Sequence, residues 1–221
     1  MSRQLFHKEL ADLQDQVLVL GSMAEKAILD SMESLRDGDA RWAEKIIEHD
    51  HEINRKRFEI EERTIFVIAS QQPMATDLRS LISILYIVTD LERIADHAEG
   101  IARINIMLGD EPLPRKLGYI PAMADRAVAM LRETLKAYID HDVELARRVC
   151  DADDEVDRLQ DSVYDETVRT MIEDPTTIQR NTYMLWTSHN LERIADRCTN
   201  IAERVIFLVT GRMEEINVSK Y

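Results

Sequence analysis

Glycine and proline are scarce in this sequence, six and five among 221 residues, and aromatic residues make up only 5%. With Leu, Ile, Ala, Glu and Arg plentiful, that shortage favours helix over sheet. Basic residues are also few, 28 Lys and Arg against 42 Asp and Glu, so the formal charge is −14 and the pI about 4.9. No basic footprint for nucleic acid is expected, because phosphate contacts need clustered Lys and Arg. An acidic surface suits cations or basic partner patches instead. The two cysteines, Cys150 and Cys198, form no CxxC and no disulfide framework. They read as small apolar packing residues of a reduced, cytoplasmic protein. Long apolar runs are missing as well. The longest uncharged stretch, Thr64 to Thr76, is too short to span a bilayer and contains QQP. The opening MSRQLFHKELADLQ has no apolar signal core. A soluble chain is expected, one that meets a membrane only through partner proteins.

What the sequence does have is a repeat. LERIAD occurs at 91–96 and again at 191–196. Upstream of each copy stands a proline segment, QQPMATDLR (71–79) and EDPTTIQR (173–180). Further upstream, EHDHEIN (48–54) aligns with DADDEVD (151–157), pairing Asp50 with Asp153, Glu52 with Glu155 and Asn54 with Asp157. Each half then reads as helix, break, helix, proline turn, helix. The helices are expected near 2–36, 39–71 and 75–108, then near 119–139, 142–172 and 176–210. No segment alternates with period two for long enough to form a strand. The fold class is therefore all-α, two tandem antiparallel three-helix bundles related by an internal repeat. The first bundle is assigned to 1–109, a Pro- and Gly-rich linker to 110–118, and the second bundle to 119–221.

In the third helix of each copy a 3,4 spacing marks a heptad seam. It runs through Ile84, Ile87, Leu91, Ile94, Ala98, Ile101, Asn105 and Leu108, and through Met184, Thr187, Leu191, Ile194, Cys198, Ile201, Val205 and Leu208. Packing thus accounts for the Leu and Ile of LERIAD but not for its carboxylates. Glu92 and Asp96 share a helix face away from the seam, as do Glu192 and Asp196. Arg93 and Arg193 are expected to point elsewhere. Asp50 and Asp96 lie equally far on either side of Pro73, as do Asn54 and Glu92. Asp153 and Asp196, and Asp157 and Glu192, are level across Pro175 to within one residue. An antiparallel hairpin sets each pair side by side, and converging carboxylates repel unless a cation stands between them. Carboxylate oxygens suit hard ions such as Mg²⁺, Ca²⁺, Mn²⁺ and ferric iron. Two metal sites are therefore expected, one on Asp50, Asn54, Glu92 and Asp96 and one on Asp153, Asp157, Glu192 and Asp196. Asn54 makes the first the weaker. The bland alternative is a solvated acidic face, or pairing of the acids with Arg.

A di-iron centre needs paired ExxH motifs, and Glu48 to His51 is the one ExxH in the chain. His7, His49, His97, His141 and His189 do not repeat between copies, so surface or capping roles are expected. Trp42 and Trp186 read as packing residues. No phosphate-binding loop, nucleophile elbow or HExxH occurs.

Taken together, the doubled DLERIAD and NIAE pattern, EHDHEIN with DDEVD, QQPMATDLR, MIEDPTTI and the closing FLVTGR resemble the PhoU family of bacterial phosphate-signalling regulators, over about residues 5 to 212. The resemblance implies two three-helix bundles with pseudo-twofold symmetry and no enzymatic activity. It implies a cytoplasmic homodimer that restrains phosphate uptake and the phosphate-starvation response. Its partners would be the ATPase subunit of the phosphate ABC transporter and a sensor histidine kinase. It further implies metal on E(D)xxxD motifs, which fall here on Glu92/Asp96, Asp153/Asp157 and Glu192/Asp196, with Asp50/Asn54 as the departing fourth. The ion itself, Mg, Zn, Mn or Fe, does not carry over. A helical-bundle metal-binding or storage protein is the alternative.

Overall fold

A computed structural model describes residues 3–109 and 118–216. Six long helices account for nearly all of them: α1 (Arg3–Asp37), α2 (Ala40–Gln71), α3 (Thr76–Leu108), α4 (Ile120–Asp140), α5 (Val143–Glu173) and α6 (Ile178–Thr210). Among the described residues there is no strand. The expected linker falls on 110–117, outside the described residues, and on Gly118 at their edge.

The breaks between helices are fixed by local chemistry that repeats. Gly38 and His141 both adopt the left-handed conformation after the first helix of their copy, the geometry that satisfies the last carbonyls of a helix. The next residue is an acid in each case. Asp39 Oδ1 accepts the Trp42 N–H at 3.0 Å, and Asp142 Oδ1 accepts the Leu145 N–H at 2.9 Å. These are N-caps of the kind that stabilise a helix start by about 1 kcal/mol. His141 therefore does cap. At the proline turns, Gln72 closes α2 in the left-handed region, and Asp174 Oδ1 accepts the Thr176 N–H at 3.0 Å. A single 3-10 turn, Pro175–Thr177, leads into α6.

Every residue of both heptad seams is buried. The polar members are satisfied: Asn105 Nδ2 donates to Ser34 O and Oγ at 2.9 and 2.7 Å, and Thr187 Oγ1 donates to Tyr183 O at 3.0 Å. Both thiols are buried, and burial pushes each of them up, as expected of packing cysteines. α3 packs on α1, α2 and α6, while α6 packs on α4, α5 and α3. One continuous apolar core runs through both repeats. The two central helices run antiparallel, since Arg197 reaches Asp90 while Asn190 reaches His97. Gly100 makes the crossing close: a Cβ there would stand 2.9 Å from Asn190 Oδ1. α1 and α4 meet beside it, where Gly21 admits Leu135 and Glu25 pairs with Arg132 at 2.7 Å. Trp186 departs from expectation. It is 49% exposed, edge-on to Tyr183, because it lies off the seam. Among the described residues no helix is long and apolar enough to cross a membrane.

Leu191, fully buried on the α6 seam, sets the scale of this packing. Leu191→Ala is expected to cost about 2–5 kcal/mol in urea denaturation. Phe66→Ala, at a site 66% exposed, is expected to cost less than about 0.5 kcal/mol.

Candidate metal centres

The first hairpin brings Asp50 and Asn54 on α2 toward Glu92 and Asp96 on α3. Asp50 and Glu92 are buried and Asp96 is half-buried. Asn54 Nδ2 donates to Asp50 Oδ2 at 2.7 Å, while Asp50 Oδ1 is buried with no hydrogen-bond partner. Glu92 Oε2 is likewise buried without a hydrogen bond, with Arg57 Nε 3.8 Å from Oε1 and Arg93 Nε 3.7 Å from Oε2. The carboxyls feel one another across the hairpin. Burial lifts Asp50 above the usual carboxylate range, and Asp96 and then Glu99 lift it further. Burial and Asp96 lift Glu92, and Asp50 adds to this, against the pull of Arg57 and Arg93.

The second hairpin repeats the arrangement with more acid. Asp153 on α5 is buried and Asp157 half-buried. Glu192, its side chain 12% exposed, has Arg193 Nε 3.0 Å and His189 Nδ1 3.6 Å from Oε2, neither with hydrogen-bond geometry. Its carboxyl is pushed up to about 7, by burial first and by Asp196 next, with Asp157 and Asp153 adding to this against Arg193. Burial raises Asp196 too, opposed by Arg193 and Arg197.

The two arginines inside LERIAD do not point away. Arg93 Nη1 donates to Asp96 Oδ2 at 3.1 Å, and Arg193 Nη1 donates to Asp196 Oδ2 at 2.8 Å. Three residues is one turn, so the long guanidinium reaches back over its own helix. With the acids turned toward these arginines, among the described residues no three Asp, Glu, His or Cys side chains converge on a common ion position. The donor set still fits a hard cation. It offers buried carboxylate oxygens that accept no hydrogen bond, on Asp50, Glu92 and Glu192. Its competing arginines are 56% and 43% exposed and free to swing into water.

Some participants are invisible to the repeat. Glu99 acts on Asp50 from one turn beyond Asp96, but its counterpart is Thr199, so a search for shared residues discards it. Arg57 lies one turn after Asn54, a spacing that marks it as a neighbour of Glu92. His97 is not a surface residue. It is half-buried at the α3–α6 crossing, with Nδ1 3.1 Å from Asn190 Oδ1. Its counterpart Arg197 donates to Asp90 at 3.4 Å, where Asn200 also donates at 3.5 Å. The letters that differ between the two copies thus pair crosswise.

Comparison with known proteins agrees with this architecture. The family model described as the PhoU domain matches twice, at residues 17–104 and 120–205. A protein of Clostridium acetobutylicum, named phosphate-specific transport system accessory protein PhoU homolog, is 39% identical over 98% of this chain and 100% of its own. A Pseudomonas aeruginosa protein of the same name is 38% identical over 94% of this chain and 86% of its own. The crystal structure of PhoU from P. aeruginosa superposes with a TM-score of 0.88 at 38% identity, covering 94% of this chain and 100% of that one. That of the phosphate transport system regulatory protein PhoU from Streptococcus pneumoniae gives 0.89 at 30% identity, covering 95% and 99%.

The raised carboxyl of Glu192 has a consequence for pH. In the fold it keeps its proton up to about pH 7, while the unfolded chain loses it in the ordinary carboxylate range. Its share of stability is therefore present at low pH and drains away as pH rises through about 7. In metal-free protein, Glu192→Gln is expected to be about 1 kcal/mol more stable than wild type near pH 8, and equal to it near pH 4, by thermal denaturation in buffer with chelator.

Proposed function

Since the chain belongs to the PhoU family, we propose that it is an accessory regulator of phosphate transport, acting without enzymatic chemistry of its own. The observation that carries this reading is the doubled PhoU domain, matched along nearly the whole length of relatives named for the phosphate-specific transport system. In finer detail, it is a cytoplasmic homodimer that restrains phosphate uptake and the phosphate-starvation response. It does so as an adaptor between the transporter's ATPase subunit and a sensor histidine kinase. Two features support docking to proteins over binding of phosphate itself. The net charge of −14 disfavours an anion site. The tip of the first hairpin exposes Ile65, Phe66 and Met74, apolar side chains of the kind found at partner contacts.

The carboxylates would act as the adaptor's internal brace. Asp50, Asn54, Glu92 and Asp96 would hold one ion, and Asp153, Asp157, Glu192 and Asp196 another. A bound cation supplies positive charge that cancels the repulsion between the two helices of each hairpin. Asp50 and Asp153 are anchored from α2 and α5 by their burial, so they set where the ligands of α3 and α6 must turn. Arg93 and Arg193 hold those ligands by ion pairs when no ion is present. The proline hairpins thereby gain a fixed register on which a partner surface can form.

The reading is tested by mixing the purified chain with the transporter ATPase subunit and with the sensor kinase. Retention of both is expected, and recovery of neither overturns the adaptor. The brace is tested by calorimetric titration with Mn²⁺. Two sites are expected, the second tighter by about tenfold because Asn54 brings no charge to the first. Asn54→Asp is expected to narrow the gap. Absence of heat in both proteins overturns the metal reading and leaves the adaptor standing.

A further inference from the structure

The two repeats differ beside their carboxylates, on the face formed by the first and second helices of each copy. The numbering shift that carries Asp39 onto Asp142 and Glu52 onto Glu155 also carries Met23 onto Arg126. In the second bundle Arg126 on α4 spans to α5 as an ion pair, with Nε 2.9 Å from Glu155 Oε2 but without hydrogen-bond geometry. In the first bundle Met23 on α1 cannot reach Glu52 in this way, and a groove of about 490 Å³ remains open between α1, α2 and α3. Its floor is apolar, made by Met23, Ala27, Ile46, Ile53 and Ala95. Two acids in it are already matched within their own helices, Asp30 by Lys26 and Glu99 by Arg103, and Lys45 also lines it. Two others differ. Glu52 faces His49 at 3.5 Å from the rim, and the buried Asp50 presents Oδ1 with no hydrogen-bond partner.

We propose that this groove receives a basic segment of a partner protein, an arginine or lysine flanked by an apolar side chain one helical turn away. The second bundle supplies the precedent, because there a guanidinium of the same chain already occupies the corresponding place over the corresponding glutamate. The groove's chemistry matches such a segment on both counts. The apolar floor takes the aliphatic stem and the neighbouring side chain, and Glu52 takes the cation. A second copy of this chain is a poor occupant, since it brings a net charge of −14 to the exposed Glu52 carboxylate. A volume of this size lies in the range of real binding pockets. The inference does not rest on the phosphate-transport reading. It needs only a cation with an apolar neighbour.

The probe is a fluorescently labelled amphipathic helix of about four turns, with leucines on one face and a single arginine among them. Its control carries citrulline, the uncharged isostere, in place of arginine. Binding is followed by anisotropy with chelator present, so that metal at the neighbouring carboxylates is not a variable. The arginine peptide is expected to saturate at one per chain, and the citrulline peptide to bind about tenfold more weakly. Met23→Arg, which supplies the missing bridge to Glu52 from a half-buried position, is expected to weaken binding about tenfold with an unchanged melting temperature. Equal affinity for the two peptides overturns the proposal, as does full binding to Met23→Arg or no binding to wild type. A sedimentation series in which Met23→Arg dissolves a dimer of the free chain would assign the groove to a second copy, and overturns it too.

Discussion

Helices α3 and α6 are buried on several sides, one face toward the bundle of their own repeat and another toward each other. Among the described residues, each of the other four long helices packs against one of these two. A Leu or Ile seam residue withdrawn from water contributes about 1.5–3 kcal/mol, and each seam carries eight positions in a row. The outer helices pack on this central pair and on their neighbours, so the two repeats share one core and do not hang as beads on a linker.

The carboxylates inherit their strain from the same packing. Glu92 directly follows the seam residue Leu91, and Glu192 follows Leu191, so neither can leave its hairpin without unpacking the core. Asp50 and Asp153 are held down on the facing helices in the same way. The acids are thus kept close at a cost, visible in carboxyls that hold their protons beyond the usual range. Arginines one turn away offset part of it. Core packing and the mutual repulsion of these acids thus act against each other.

Much of this was legible in the letters. Helix limits agreed to within a few residues because Asp39, Asp142, Pro73 and Pro175 stop or start a helix by local chemistry. The seams were legible because a 3,4 spacing has one meaning in a long helix. The candidate acids could be paired because an antiparallel hairpin maps distance from its turn onto height. The aim of Arg93 and Arg193 was not legible, since a flexible side chain chooses among partners that only the fold assembles. Nor was the exposure of Trp186 or the burial of His97. Both depend on where one repeat lies against the other, and the internal likeness of two halves says nothing about the face that joins them.

The crosswise pairs at the α3–α6 crossing bear on ancestry. Asp90 meets Arg197 and Asn190 meets His97, so the position before LERIAD on one helix always faces the position after LERIAD on the other. This is the contact rule of an isologous interface, the kind a half-length chain would make with a copy of itself. A self-pairing chain must carry the same two residues twice. A single chain is free of that constraint, and here one contact is an ion pair while its twin is a histidine–amide contact. The molecule retains a dimer's geometry with two inequivalent sides, so a partner that reads charge can tell one from the other.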